Sequence, residues 1–227
     1  MKTIWISVVS ALILCGGATA QQKVEDLKAR DLQAAFRGDS EGLERLMKVI
    51  EEALSTNPNN PKAMVTHGIG LLRRSGDLAQ KGQLENSARV YQSAIDEMER
   101  AVRLAPDSDI VRIPRGSTFI SASRMMPPQM AKQLLETWVS DFEKVLQLQE
   151  ADKTFSKRSA HQRGELLTGL ADGWNRMGNK EKASGYFERI VAELKGTVYE
   201  TRAQAWLENK PESKSPAFFA CSGCHAD

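Results

Sequence analysis

The sequence PAFFACSGCHAD places two cysteines and a histidine in the order Cys221-x-x-Cys224-His225. Two thiols separated by two residues can each add to a vinyl group of one haem and become thioethers. A histidine directly after them can turn its imidazole under the iron as an axial ligand. Ser222 and Gly223 are small and would not meet the ring. Two other chemistries share the pattern. A Cys-x-x-Cys pair can cycle as a redox disulfide, although such motifs usually open a helix in a βαβ fold. Zinc prefers four ligands, and three are present here, so His67 or His161 would have to supply the fourth. The favoured expectation is one covalent haem c, bound through Cys221 and Cys224 with His225 on the iron.

The other end of the sequence bears on that choice. Lys2 precedes the apolar run IWISVVSALIL, which is shorter than a bilayer-spanning helix requires. GGATA then offers small residues, with Ala18 and Ala20 placed for cleavage before Gln21. This predicts a signal peptide over residues 1–20 and an exported, periplasmic protein, with no membrane span after cleavage. A minor alternative makes Cys15 a lipid-anchor acceptor, against which stands the bulky Leu14 before it. Removal of residues 1–20 also removes Cys15, so both remaining cysteines belong to the motif. Exported chains normally use paired cysteines for structural disulfides, and none is left over for that use.

The motif resembles that of the c-type cytochromes. That family implies haem attached outside the cytoplasm, and a helical domain after the motif that supplies a sixth ligand, often methionine. Only Ala226 and Asp227 follow here. The sixth position is therefore expected from upstream residues, another chain, a small molecule or water. His67, on the inward face of a helix, and His161, at a polar helix start, are candidates. So are Met125, Met126 and Met130, because thioethers ligate haem iron. The bland alternatives are a packed His67, a solvated His161 and methionines that fill core gaps. Phe218 and Phe219 abut the motif and could cover a haem face or dock the tail on the last helix.

The elements that must position this chemistry read as helices. The chain has 227 residues, 41% of them hydrophobic and 6% aromatic, a composition that favours helix over strand. Apolar residues recur at helical spacing in KVEDLKARDLQAAFRGD, and in EGLERLMKVIEEAL behind Ser40 as its expected N-cap. Pro61 opens another helix, and a further one is expected from about Leu84 to Leu104. Pro114 is expected to delay the helix that follows. AKQLLETWVSDFEKVLQLQ, ELLTGLADGWNRMG, KEKASGYFERIVAEL and VYETRAQAWLEN continue the series, and no segment alternates with period two. Residues 209–216, with two prolines and alternating charge, read as an extended linker to the motif.

The helices share an internal spacing. Leu46, Ile50, Ala53 and Pro58 match Ala94, Met98, Ala101 and Pro106, and Ala183, Phe187 and Ile190 repeat the first part. Leu167, Leu170, Ala171, Trp174, Gly178 and Ala183, together with Met64, Gly68 and Leu71, fit the first helix of the same unit. Over residues 40–208 this resembles the tetratricopeptide repeat in degenerate form. The step from Pro58 to Pro106 exceeds the family period, and an insertion around DLAQKGQLENS accounts for it. The resemblance implies an all-α fold, an α-α solenoid, expected over residues 21–208, and the motif adds a linker and haem-attachment tail expected over 209–227. The resemblance also implies a concave face that binds protein.

The formal net charge is +2, without a basic stripe, so nucleic acid is not an expected partner. Arg115, in RIPRG, could meet a haem propionate, but a solvated face is the simpler expectation. No phosphate-binding loop, nucleophile elbow or H-E-x-x-H is present. The sequence therefore points to an electron carrier or binding protein rather than an enzyme, with a protein redox partner. The alternative is a periplasmic scaffold in which the haem, or a disulfide, is auxiliary.

Overall fold

The computed structural model describes residues 39–214. Among them the chain is all-α, with eight α-helices, two 3-10 turns and no strand. The helices are α1 (Ser40–Thr56), α2 (Pro61–Gln80), α3 (Leu84–Leu104), α4 (Asp109–Arg124), α5 (Pro128–Ala151), α6 (Ala160–Arg176), α7 (Lys180–Glu193) and α8 (Val198–Leu207). The 3-10 turns are Phe155–Lys157 and Pro211–Lys214. The chain divides after Ala105 into two compact units.

In the first unit α1 packs on α2 and α2 on α3. Leu43, Leu46, Met47, Ile50 and Ala53 form the buried stripe of α1 at helical spacing. Ala94, Met98 and Ala101 form that of α3. The cap of α1 is Asp39, one residue before the expected Ser40, and its carboxylate accepts from the Gly42 amide at 2.8 Å. Asn60 caps α2 in the same way, accepting from the Ala63 amide at 3.1 Å ahead of Pro61 in the first turn. The residues expected as an insertion are helical for the most part: they extend α2 to Gln80 and begin α3 at Leu84.

In the second unit α4 pairs with α5 and α6 with α7, while α5 also packs on α6 and α8 on α7. The α4 helix begins at Asp109 and runs through Pro114, which corrects the delayed start expected from the sequence. Pro114 lacks the one amide that would reach back four residues. Buried Val111 and Phe119 hold the helix on both sides of it. Arg115 is not on a solvated face. It is 6% exposed, and its Nε and Nη2 each donate to Asp141 at 2.7 Å. Arg112 donates to the same carboxylate at 2.5 Å, and Asp141 is fully buried between the two guanidiniums.

The next residue on α5, Phe142, lies between two glycines. A Cβ at Gly116 of α4 would come within 2.6 Å of its ring, and so would one at Gly169 of α6. Both neighbouring helices therefore approach α5 where a side chain is missing. At its C-terminal end α6 closes with Gly178 at φ 82°, which no branched side chain adopts without strain. Asn209 does the same for α8 at φ 54°, and the Lys210 amide donates back to the Ala205 carbonyl at 2.9 Å. Residues 209–214 are thus a helix-terminating turn and a 3-10 turn, not an extended strand of linker. Ser213 is 8% exposed, with its hydroxyl donating to the Lys210 carbonyl at 2.7 Å.

Gly169→Ala is expected to lower the stability of the second unit by about 1–3 kcal/mol, because the added methyl overpacks Phe142. Helix propensity alone would change it by about 1 kcal/mol in the opposite direction. Denaturant unfolding followed by the fluorescence of Trp138, Trp174 and Trp206, all in this unit, decides between the two signs.

Candidate functional site

Cys221, Cys224 and His225 lie outside the described residues, as do Cys15, Phe218 and Phe219. The upstream candidates for the sixth position lie, except for the Met130 side chain, within them. His67 is a packed histidine. Its Nδ1 is 2.7 Å from Glu97 and its Nε2 is 3.6 Å from Glu51, so both ring nitrogens face carboxylates. His161 is exposed, at the start of α6, with Nδ1 2.7 Å from the Tyr199 hydroxyl. That hydroxyl donates to Glu165 at 2.7 Å. A phenol has one proton, and Glu165 has taken it, so the imidazole Nδ1 must donate to the Tyr199 oxygen. Met125 is 84% exposed. Met126 is half-buried and lines a cavity.

That cavity, about 1230 Å³, lies within the second unit. It forms where helix ends meet: the last turns of α4 and α6, the first turns of α5 and α7, and the end of α8 with its 3-10 turn. Its apolar wall includes Met126, Leu135, Trp174, Met177, Trp206 and Leu207. Trp206 is held by stacking on Phe187, centroid to centroid 4.4 Å. The Trp174 indole donates to Glu143 at 3.0 Å, and the Lys182 ammonium lies 3.6 Å from the ring centroid. Met177 was not a sequence-level candidate. It stands alone in the sequence, and only the end-to-end packing of the helices brings it to the same wall as Met126.

The polar side of the cavity is built on Asp172, which is buried. Arg124 donates to it at 3.0 Å and Arg176 approaches at 4.0 Å. Arg176 also donates to the Ser123 hydroxyl at 3.0 Å and the Ser123 carbonyl at 3.1 Å, and its guanidinium lies 5.1 Å from the Trp138 ring centroid. It thereby satisfies one of the terminal carbonyls of α4 with a cation, the sign a helix C-terminus favours. Burial pushes the Asp172 carboxyl above 3.8, and the nearby guanidiniums offset this only in part. Burial likewise lowers the Arg176 guanidinium, against the attraction of Asp172 and with the repulsion of Arg124. Lys132 and Lys180 add two cations to the lining and Glu136 one carboxylate.

The donor set suits a flat, largely apolar ligand that carries carboxylates. The two tryptophans supply flat apolar surface, the two thioethers are soft ligands, and the arginines and lysines match anions. Neither histidine is among the residues that line the cavity. His161 is at the opposite end of α6 from Arg176, about 22 Å along the helix axis. His67 belongs to the other unit. Among the described residues no group of three or more His, Cys, Asp or Glu side chains is placed to hold a metal ion. No helix among them is long and apolar enough to cross a membrane. No protein family, curated protein or solved structure matches the chain.

The raised carboxyl of Asp172 makes a signed pH prediction. A group that holds its proton more tightly when folded makes the folded state lose stability as pH rises from 3.8 through the folded value. The stability of the wild type relative to Asp172→Asn is therefore expected to fall across that acidic window and to level off above it. A difference that does not vary with pH, in denaturation curves taken from pH 3.5 to 7, would contradict the assignment.

Proposed function

We propose that the protein is an exported, periplasmic, single-haem c-type protein that transfers electrons, with a helical body that docks a redox partner. The observation that carries this reading is Cys221-x-x-Cys224-His225, in a sequence that begins with a signal-peptide pattern and has no other cysteine after it. Cys221 and Cys224 form the thioethers, and His225 binds the iron as proximal ligand. The bound haem supplies one-electron cycling between ferric and ferrous iron. The protein supplies attachment, the proximal imidazole and the surroundings that set the potential. No substrate-converting residues are assigned.

The helical body fits a docking role. Eight of the positions that resemble tetratricopeptide positions are core positions: Ile50, Ala53, Ala94, Met98, Ala101, Ala183, Phe187 and Ile190 are all fully buried. Consecutive helices pack as neighbours in α2 with α3, α4 with α5 and α6 with α7. We read these pairs as degenerate tetratricopeptide-like units of an α-α solenoid. That same observation favours a second reading, a periplasmic scaffold in which the repeats bind a partner and the haem or a disulfide is auxiliary.

Expression with the c-type maturation machinery, followed by haem staining of a denaturing gel, tests the first reading. The wild type is expected to stain at one haem per chain and Cys221→Ser/Cys224→Ser to lose the stain with unchanged helical content. An unstained wild type, with the two cysteines recovered as thiols or a disulfide, would leave the scaffold.

A further inference from the structure

Two guanidiniums share one carboxylate oxygen on the polar side of the cavity. Arg124 and Arg176 both approach Oδ2 of Asp172, at 3.0 Å and 4.0 Å. Their side chains are 21% and 24% exposed, so water screens the surplus positive charge only in part. Burial and the repulsion of Arg124 both disfavour the charged form of Arg176. Lys180 adds a cation as the first residue of α7, where the helix dipole favours an anion instead. Lys132 meets Glu136 one turn along the same helix, at 3.8 Å. Across the lining, Arg124, Lys132, Arg176 and Lys180 stand against Glu136 and Asp172, four positive charges and two negative, a net +2. This wall is complementary to a ligand that brings an anion.

The apolar side is fixed before anything binds. Glu143 and Lys182 hold Trp174, Phe187 holds Trp206, and none of these three residues lines the cavity. A flat ring laid against the two indoles therefore does not have to order them, which removes a usual cost of binding. The unbranched thioethers of Met126 and Met177 can adapt to the outline of such a ring. At about 1230 Å³ the space exceeds the ~300–1,000 Å³ typical of small-ligand clefts, so a fused ring system has room.

We propose that this cavity binds a small planar aromatic acid, with its rings against Trp174 and Trp206 and its carboxylate among Arg124, Arg176 and Lys180. The site is built from described residues alone, and it is independent of haem attachment at Cys221 and Cys224.

Calorimetric titration of the full chain with 2-naphthoate, compared with the neutral 2-naphthylmethanol, tests it. The acid is expected to bind at one site, at least about ten-fold more tightly than the alcohol. Lys132→Glu/Lys180→Glu, at two exposed side chains, changes the lining to two positive and four negative charges, a net −2. It is expected to weaken the acid at least about ten-fold and the alcohol less than about two-fold. Leu207→Asp charges the apolar wall at a side chain already 37% exposed and is expected to weaken both compounds, with helical content unchanged in either variant. No saturable binding of the acid, equal binding of acid and alcohol, or acid binding that both variants leave intact would overturn the proposal. So would a glutamate-rich peptide that binds where 2-naphthoate does not, which gives the wall to a protein partner instead.

Discussion

Asp141 and Phe142 are consecutive on α5, and the packing of the second unit depends on both. A carboxylate with no exposure costs several kcal/mol in lost hydration unless it is fully compensated. Arg112 and Arg115 provide that compensation from one turn of α4, which fixes the register of α4 on α5. Phe142, on the adjacent side of α5, then fills the space left by Gly116 and Gly169 and ties α6 to the same pair. A hydrophobic trio in place of the ionic one could be equally stable. What the ionic trio adds is a directional contact that one register satisfies.

The cavity follows from how these helices end. Gly173 lets Trp138 and Val139 of α5 approach α6 closely, and the next residues of α6 then turn toward the cavity. Arg176 spans from α6 to the Ser123 carbonyl, joining two helix C-termini through one guanidinium. Asp172 beneath it keeps the two neighbouring arginines from repelling each other without relief. Arg124 and Arg176 are therefore on this wall because α4 and α6 terminate side by side, while Lys132 and Lys180 come from the starts of α5 and α7. The aromatic character of the wall comes from Trp174 and Trp206, each fixed by a contact of its own.

Much of this architecture was legible in the sequence, for a definite reason. Helical periodicity is a local property, and it placed α3 from Leu84 to Leu104 as observed. The spaced residues Ile50, Ala53, Ala94 and Met98 are buried because a helix has only one inward stripe. What was not legible is what distant residues decide. Arg115 looked solvated because its partner, Asp141, lies 26 positions away. Pro114 looked like a barrier because its tertiary support is invisible in a local window. The cavity gathers the ends of five helices, so no stretch of sequence contains it, and Met177 gave no signal. The motif at residues 221–225 was the reverse case. Its expected chemistry is read from residue spacing alone, and the motif lies outside the described residues.

The turn at residues 209–214 has a consequence for where the cavity ends. Asn209 at φ 54° closes α8, and the Ser213 hydroxyl holds the Lys210 carbonyl at 2.7 Å, so the chain stays fixed on the second unit beyond the helix. Both residues line the cavity. A chain cut after Leu207 would therefore lose one edge of that cavity while keeping every helix.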